Sequence, residues 1–330
     1  MKHFYKSKKI LVAGGSGFVG INLANKLAGF KANVVASYNK NFSFKKNSNV
    51  KYRKYDFLQP DQCKEACNNI DYVFMCAANT SGAKVISSTP LVHLTPNMIM
   101  NMNMLEAAYE TGVKKFLFIS SNTVYPLTDY PVKEDDITNE FFDAYHIVGW
   151  MKRFTEIVCD MYSNKIKKPM NTVIVRPGNL YGPHDKFDPE KSKVIPALIT
   201  RAVKKQNPFN VWGDGKDLKD FIYIDDYIDG MLLAMQKLSN STPINIASGQ
   251  PITIREVLKY ILKASNHLDA EIFYDSSKPS MIPKRIIDIS FAKKMLDWQP
   301  KISIEEGIKK TVNWYLNEVD NPQENLNDNK

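Results

Sequence analysis

The chain has 330 residues, 44% of them hydrophobic, and carries a formal net charge of +9. That is enough apolar material for the core of one large or two closely packed domains. No stretch approaches the length of a membrane span, and the basic Met1–Lys9 segment lacks the apolar core and cleavage site of a signal peptide. With only Cys63, Cys67, Cys76 and Cys159, and no disulfide framework, the expected compartment is the reducing cytoplasm. Cys63 and Cys67 sit four residues apart, but no His or second Cys pair accompanies them, so packing is expected there and no metal. The first acidic residue is Asp56, yet the lysines before it are scattered over several elements, which argues against a nucleic-acid face.

The first element is the apolar run Lys9–Ala13, read as a strand, and it leads directly into Gly14-Gly15-Ser16-Gly17-Phe18-Val19-Gly20. A strand ending in closely spaced glycines and entering a helix leaves backbone N–H groups and the helix dipole facing one point, where a pyrophosphate can dock. Gly17 and Gly20 are both expected to keep that approach open. The amphipathic segment Ile21–Ala28 follows, and then strands at Asn33–Ser37, Lys51–Tyr55, Tyr72–Cys76, Phe116–Ser120 and Asn171–Arg176. Helical patterns at Asp61–Asn68, Asn97–Thr111 and Ile147–Tyr162 alternate with them. Such alternation predicts an α/β fold, a Rossmann-type doubly wound parallel sheet over residues 1–176, with some later segments returning to it. After Pro177 the pattern loosens, with helices at Val194–Lys205, Asp225–Lys237, Ile254–Lys263 and Ile304–Tyr315. Residues 177–315 read as a smaller α/β substrate lobe and the polar stretch 316–330 as a disordered tail.

Several motifs occur in order: Gly14–Gly20, Asp56-Phe57-Leu58, Cys76-Ala77-Ala78, Asn103–Ala108, Ser120–Tyr125, Arg176–Pro183 and Asp220–Asp226. Together they closely resemble the extended short-chain dehydrogenase/reductase family of nucleotide-sugar epimerases and dehydratases. The run Asn179–Asp188 with Lys193–Leu198 is most similar to the fucose synthase branch, which acts on a GDP-sugar. The resemblance implies a dinucleotide site made by Gly14, Gly17, Phe18, Val19, Gly20, Tyr38, Asp56, Phe57, Ala77, Ala78, Lys152 and Pro177. It implies that Ser121 hydrogen-bonds the reacting sugar hydroxyl and that Asn179, Lys219 and Arg285 hold the nucleotide diphosphate. Asn122, Thr123, Lys193, Val194, Leu198 and Trp212 would complete the substrate site. The family's helix pairing further implies a homodimer through Asn97–Thr111 and Ile147–Tyr162, with Met98, Met102, Leu105, Phe154, Val158 and Met161 in contact. An acid at the end of the second strand would mark NAD, but Ser37-Tyr38-Asn39 stands there; basic groups would mark NADP, and only Lys40 is near. NAD or NADP both stay open, with the balance tipped slightly to NAD.

The family's catalytic pair is Tyr-x-x-x-Lys on one helix face, where the ammonium lowers the phenol's pKa and the phenolate moves the proton. Here the helix reads Ala144-Tyr145-His146-Ile147-Val148-Gly149-Trp150-Met151-Lys152-Arg153-Phe154-Thr155-Glu156. Aligning Lys152 and Glu156 with the family's Lys and Glu puts Val148 at the tyrosine position; aligning Tyr145 puts Gly149 at the lysine position. The first frame is preferred, and either leaves the pair incomplete. The acid and base of the fucose synthases correspond to Asn122 and Lys193, and the acidic pair of the dehydratases to Asn122 and Thr123. Neither 3,5-epimerisation nor 4,6-dehydration therefore has its usual groups. The expected function is oxidoreduction or epimerisation at C4 of a nucleotide-linked, GDP-type sugar, using Ser121 and Lys152 with Tyr145, His146 or water as base. Two alternatives stand beside it: a catalytically quiet protein or regulatory subunit binding both ligands, and a redox-sensing NADP binder without a sugar site.

Overall fold

The computed structural model describes residues 1–40, 46–80, 91–189, 191–278 and 282–320. A seven-stranded parallel sheet forms its centre: β1 (Lys9–Ala13), β2 (Asn33–Tyr38), β3 (Val50–Lys54), β4 (Tyr72–Met75), β5 (Lys115–Ile119), β6 (Asn171–Pro177) and β10 (Pro243–Ile246), in the order β10-β6-β5-β4-β1-β2-β3. Strand alternation divides the core between the two faces. Ile10, Val12, Phe74, Leu117 and Val173 point to one face; Leu11, Ala13, Val73, Phe116 and Ile174 point to the other. On the first face, α2 (Phe18–Gly29) and α7 (Ile224–Lys237) supply Leu23, Leu27, Met231 and Met235. On the second, α3 (Pro60–Cys67), α4 (Leu91–Glu110) and α5 (His146–Asn164) supply Cys63, Cys67, Met104, Leu105 and Cys159. A short helix, α1 (Lys2–Tyr5), precedes β1 and buries Tyr5, whose hydroxyl donates to the Leu232 carbonyl at 2.6 Å.

The chain leaves β1 for β2 and β3, then returns to lay β4 on the other side of β1. That reversal opens a crevice between the C-terminal ends of β1 and β4, where ligands bind in open α/β sheets. The remaining elements flank it. They are β7 (Asn179–Tyr181), α6 (Val194–Val203), β8 (Phe209–Trp212), β9 (Leu218–Tyr223), β11 (Pro251–Thr253), α8 (Ile254–Ala264), β12 (Ile272–Asp275), α9 (Ser290–Leu296) and α10 (Ile304–Tyr315). β11-β9-β7 and β12-β8 form two small sheets. Leu316–Asp320 continue α10 as a further helical turn, which corrects the expectation of disorder from residue 316; residues 321–330 lie outside the described residues. Cys63 and Cys67 are buried and burial pushes both thiols up to about 12, consistent with packing.

Candidate active site

The glycine loop owes its shape to three different close approaches. Gly14 has φ +79°, and a Cβ on it would lie 2.6 Å from Cα of Ala77 across the β1–β4 crevice. A Cβ on Gly15 would meet that of Ala36 at 2.5 Å, and one on Gly20 would fall 2.1 Å from the Gly14 carbonyl oxygen. Gly20 therefore lets α2 pack on the loop, which corrects the expectation that it guards the phosphate approach. Gly17 does keep an approach open: the nearest atom to a Cβ there is the Gly14 oxygen, at an ordinary 3.4 Å. Gly17 caps α2 without a side chain, and no acidic residue occupies the first turn, so the following N–H groups face the crevice with no carboxylate nearby on the helix. The arrangement fits a pyrophosphate.

Near the end of β2, the buried Ser37 hydroxyl accepts the Gly14 N–H at 2.8 Å. Strand register sets Arg53 beside Ser37 and Lys54 beside Tyr38. Asp56 accepts the Leu58 N–H at 3.1 Å, closing a turn after β3. Phe57 was expected to touch the cofactor, but its side chain is 4% exposed within the second-face core, because the turn folds it under α3 and α4. Ala77 and Ala78 follow β4 and are half-buried and exposed, respectively.

Lys152 and Ser121 converge at the end of β5. The Lys152 ammonium donates to the Ile119 carbonyl at 2.7 Å and lies 4.8 Å from the centre of the Phe118 ring. Burial pulls this lysine down to about 8, although the charge of Glu156 works the other way. Ser121 caps a 3-10 turn, Asn122–Val124, its oxygen accepting the Thr123 N–H at 3.1 Å and the Thr123 hydroxyl at 2.9 Å. Both bonds use its lone pairs, leaving its own hydrogen to donate outward. Asn122 donates to the Pro177 carbonyl at 3.0 Å, joining the ends of β5 and β6.

The structure supports the frame that places Val148 at the tyrosine position. A Cβ on Gly149 would lie 2.6 Å from Cγ of Phe141, so that face of α5 is filled by a ring and has no room for a lysine. Val148 and Lys152 share a helix face four residues apart, and Tyr145 caps the N-terminus of α5 one turn before Val148. Burial raises the Tyr145 phenol above its ordinary range.

Among the diphosphate candidates, Asn179 donates to the Asp220 carbonyl at 3.0 Å. Lys219 pairs with Asp217 at 3.1 Å and donates to the Ile282 carbonyl; burial lowers it, opposed by the Asp217 charge. Arg285 is 2% exposed, donates to the Pro126 and Tyr125 carbonyls at 2.8 and 3.1 Å, and leaves Nε without a partner. Burial pulls its guanidinium down to about 10. A buried cation with an orphan donor beside a second cation suits an anion. Trp212 and Val194 are partly exposed, whereas Leu198 is 2% exposed in the core. The inward stripe Ile195, Leu198, Ile199 and Ala202 of α6 removes Leu198 from the substrate site. Leu105 is likewise fully buried and leaves the proposed dimer seam, while Phe154 and Met161 stay exposed, joined by Ile99 and Trp150, which the sequence did not single out.

One network escaped the sequence reading. Glu156, 1% exposed, accepts two hydrogen bonds at 2.8 Å from the equally buried Arg176 and one at 2.6 Å from Ser120. Arg176 also donates to the Tyr125 hydroxyl, which donates to Asn245. These residues tie α5 to β5, β6 and β10 directly beneath Ser121 and Lys152. Their lone signal was the occurrence of Glu156 and Arg176 within motifs.

A family model described as the NAD dependent epimerase/dehydratase family matches residues 10–247. GDP-L-fucose synthase 1 of Arabidopsis thaliana is 31% identical over 330 residues, covering 96% of this chain and 95% of the relative. GDP-L-fucose synthase of Escherichia coli (strain K12) is 31% identical over 276 residues, with 77% and 83% covered. A UDP-glucose 4-epimerase of Thermotoga maritima, solved with UDP-glucose, is 27% identical with a TM-score of 0.83, covering 93% of this chain and 98% of that one. On these matches and this geometry, the chain belongs to the NAD dependent epimerase/dehydratase family.

Proposed function

We propose that the protein is an NAD(P)-dependent oxidoreductase acting at C4 of a GDP-linked sugar, working in the reductive direction. The observation that carries this reading is the convergence of the Lys152 ammonium and the outward-donating Ser121 hydroxyl at the end of β5, beside the crevice of the glycine loop. The GDP-sugar assignment is supported by the relatives named GDP-L-fucose synthase, and the buried Arg285 with its orphan Nε suits the nucleotide diphosphate. The glycine loop would hold a nicotinamide dinucleotide, which when bound would supply the hydride chemistry. The chain's own task is to orient the sugar oxygen and give it a proton. With Val148 in place of a phenol, no base of the usual kind stands four residues before Lys152. Ser121 and the half-buried Tyr145 are neutral donors, and desolvation raises the Tyr145 phenol further above its ordinary range. Neutral donors suit reduction of a keto-sugar better than removal of a proton from an alcohol. The basic neighbours Arg53 and Lys54, with no acid at the end of β2, support NADP over the NAD that the sequence slightly favoured. A homodimer through α4 and α5 accounts for the exposed Ile99, Trp150, Phe154 and Met161.

The test is turnover of GDP-4-keto-sugars followed by nicotinamide absorbance, with NADH and NADPH compared. Tyr145→Phe should abolish reduction if Tyr145 is the donor. Val148→Tyr, which restores the pair with Lys152, should raise turnover, since a positioned acid or base typically contributes roughly 10²–10⁴-fold. If neither the parent nor Val148→Tyr turns over any nucleotide sugar that binds, the quiet binding protein replaces the enzyme.

A further inference from the structure

The two halves of the molecule are tied together around the first turn of α2. Asn22 donates to the Pro183 carbonyl at 3.0 Å, and Lys186 donates to the Thr80 carbonyl, just after β4, at 2.8 Å. The Lys193 ammonium stands 5.6 Å from the centre of the Phe18 ring, and Phe18 is the first residue of α2. Residues 183–189 and 191–193 thus bring Lys186 to the segment after β4 and Lys193 to the start of α2, on either side of the β1–β4 crevice. The two feel each other: burial first, and then the charge of Lys193, pull Lys186 below the ordinary lysine range. Asp185, 5% exposed, lies with them; one of its oxygens accepts the Lys186 N–H at 2.8 Å and the other has no hydrogen-bond partner among the described residues. Lys193 itself enters no ion pair among the described residues. Two ammonium groups and the positive end of a helix without an acidic first turn therefore face one crevice, with one buried carboxylate among them.

We infer that Lys193 is a ligand of the dinucleotide's diphosphate and that, with Lys186, it closes the second half of the chain over the glycine loop. The position aligned with a proton-transferring histidine in the fucose synthase branch thereby becomes a phosphate anchor. The dinucleotide site is then completed by residues far along the chain, and the cofactor itself fastens the seam. The inference rests on the dinucleotide and GDP-sugar assignments made above, and it moves Lys193 from the sugar to the cofactor.

Calorimetric titration of the full chain with NADPH, NADH, ADP-ribose and GDP separates the possibilities. Lys193 caps α6 without a side-chain hydrogen bond, so Lys193→Met leaves the fold undisturbed, which its melting profile checks. Loss of one charge-assisted contact should weaken both dinucleotides and ADP-ribose by about ten-fold or more. GDP affinity should stay as in the parent, and Lys193→Arg should restore dinucleotide binding. Loss of GDP affinity with dinucleotide binding intact would overturn the inference and give Lys193 to the sugar nucleotide. No loss of either ligand would also overturn it and leave a solvated surface charge. A parent protein that binds GDP but no dinucleotide would sink the underlying cofactor assignment, a result distinct from failure of the Lys193 variants alone.

Discussion

Replacing Glu156 by glutamine tests whether the buried network beneath Ser121 holds the site together. Both Glu156 and Arg176 are 1% exposed, and their two bonds of 2.8 Å form a fork between carboxylate and guanidinium. The substitution keeps the shape, removes the charge and turns an NH₂ group toward donors. Arg176 is then left charged in the interior, and breaking a buried pair from one side costs about 3–5 kcal/mol. That is a large part of the 5–15 kcal/mol typical of a folded domain. The exposed Lys263–Glu305 pair has the same 2.8 Å separation but side chains 68% and 51% exposed, so Glu305→Gln should cost less than about 1 kcal/mol. Equilibrium urea unfolding of the two variants reads the contrast directly. Glu156→Gln combined with Arg176→Met should recover much of the loss, because the double change removes the stranded charge. A Glu156→Gln protein within about 1 kcal/mol of the parent would show that the fork contributes no more than a surface pair.

Three further outcomes are expected. Gly17→Val should abolish dinucleotide binding with an unchanged melting profile, whereas Gly20→Val should unfold or strongly destabilise the protein because its Cβ meets the Gly14 carbonyl oxygen at 2.1 Å; identical behaviour of the two would refute the division of labour in the loop. Lys152 is held at about 8 against an ordinary 10.5, so the unfolded chain binds more protons between those values and the parent should gain stability relative to Lys152→Met as pH rises through that window. A stability difference that stays flat from neutral to alkaline pH would make Lys152 an ordinary solvated lysine. Phe154, 45% exposed on α5, should hold a dimer seam, so light scattering on Phe154→Glu should show monomer where the parent shows dimer; a monomeric parent defeats the seam.

The first half of the fold was legible because its strands alternate between two buried faces. β1 was placed to the residue, and β2, β4, β5 and β6 within one residue at either end, since each is a short, largely apolar run of four to seven residues of the kind that a parallel sheet covered on both faces requires. In the second half the four helices were placed within two residues at either end, but the short strands were not, because β7 and β11 have three residues each and no period can be read from so few. The local geometry at Gly14, Ser121 and Lys152 was legible where a motif fixes the backbone: Gly14 has φ +79°, and Ser121 and Lys152 both meet the end of β5. Site residues were misread where a helix is apolar on more than one side: Leu198 and Leu105 face the core, and only packing chooses that face. Gly20 was misread for a related reason. A glycine needed for close packing and one needed for ligand approach look the same in sequence.

The departures from the family pattern fall on proton transfer and leave positioning in place. Lys152 reaches the end of β5, Glu156 fixes α5 to Arg176 and Ser120, and Gly149 admits the Phe141 ring, whose edge-on packing with Trp150 has its centroids 5.2 Å apart. Each of these sets where α5 lies against the sheet, and so where position 148 points. In the preferred frame Val148 takes the place of the family's tyrosine, on a helix anchored by these contacts. A frame this well fixed with an apolar group at its tip cannot remove a proton from position 148. On the proposed reading Ser121 orients the sugar oxygen, which takes its proton from Tyr145 or water. The group that protonates the sugar oxygen in reduction is the base that takes that proton back in oxidation, so on the proposed reading loss of a phenol at position 148 slows both directions, and at neutral pH the protonated state of the remaining donors favours the reductive rate. On that reading the side chain at position 148 sets the rate of proton transfer, while its neighbours hold α5 against the sheet.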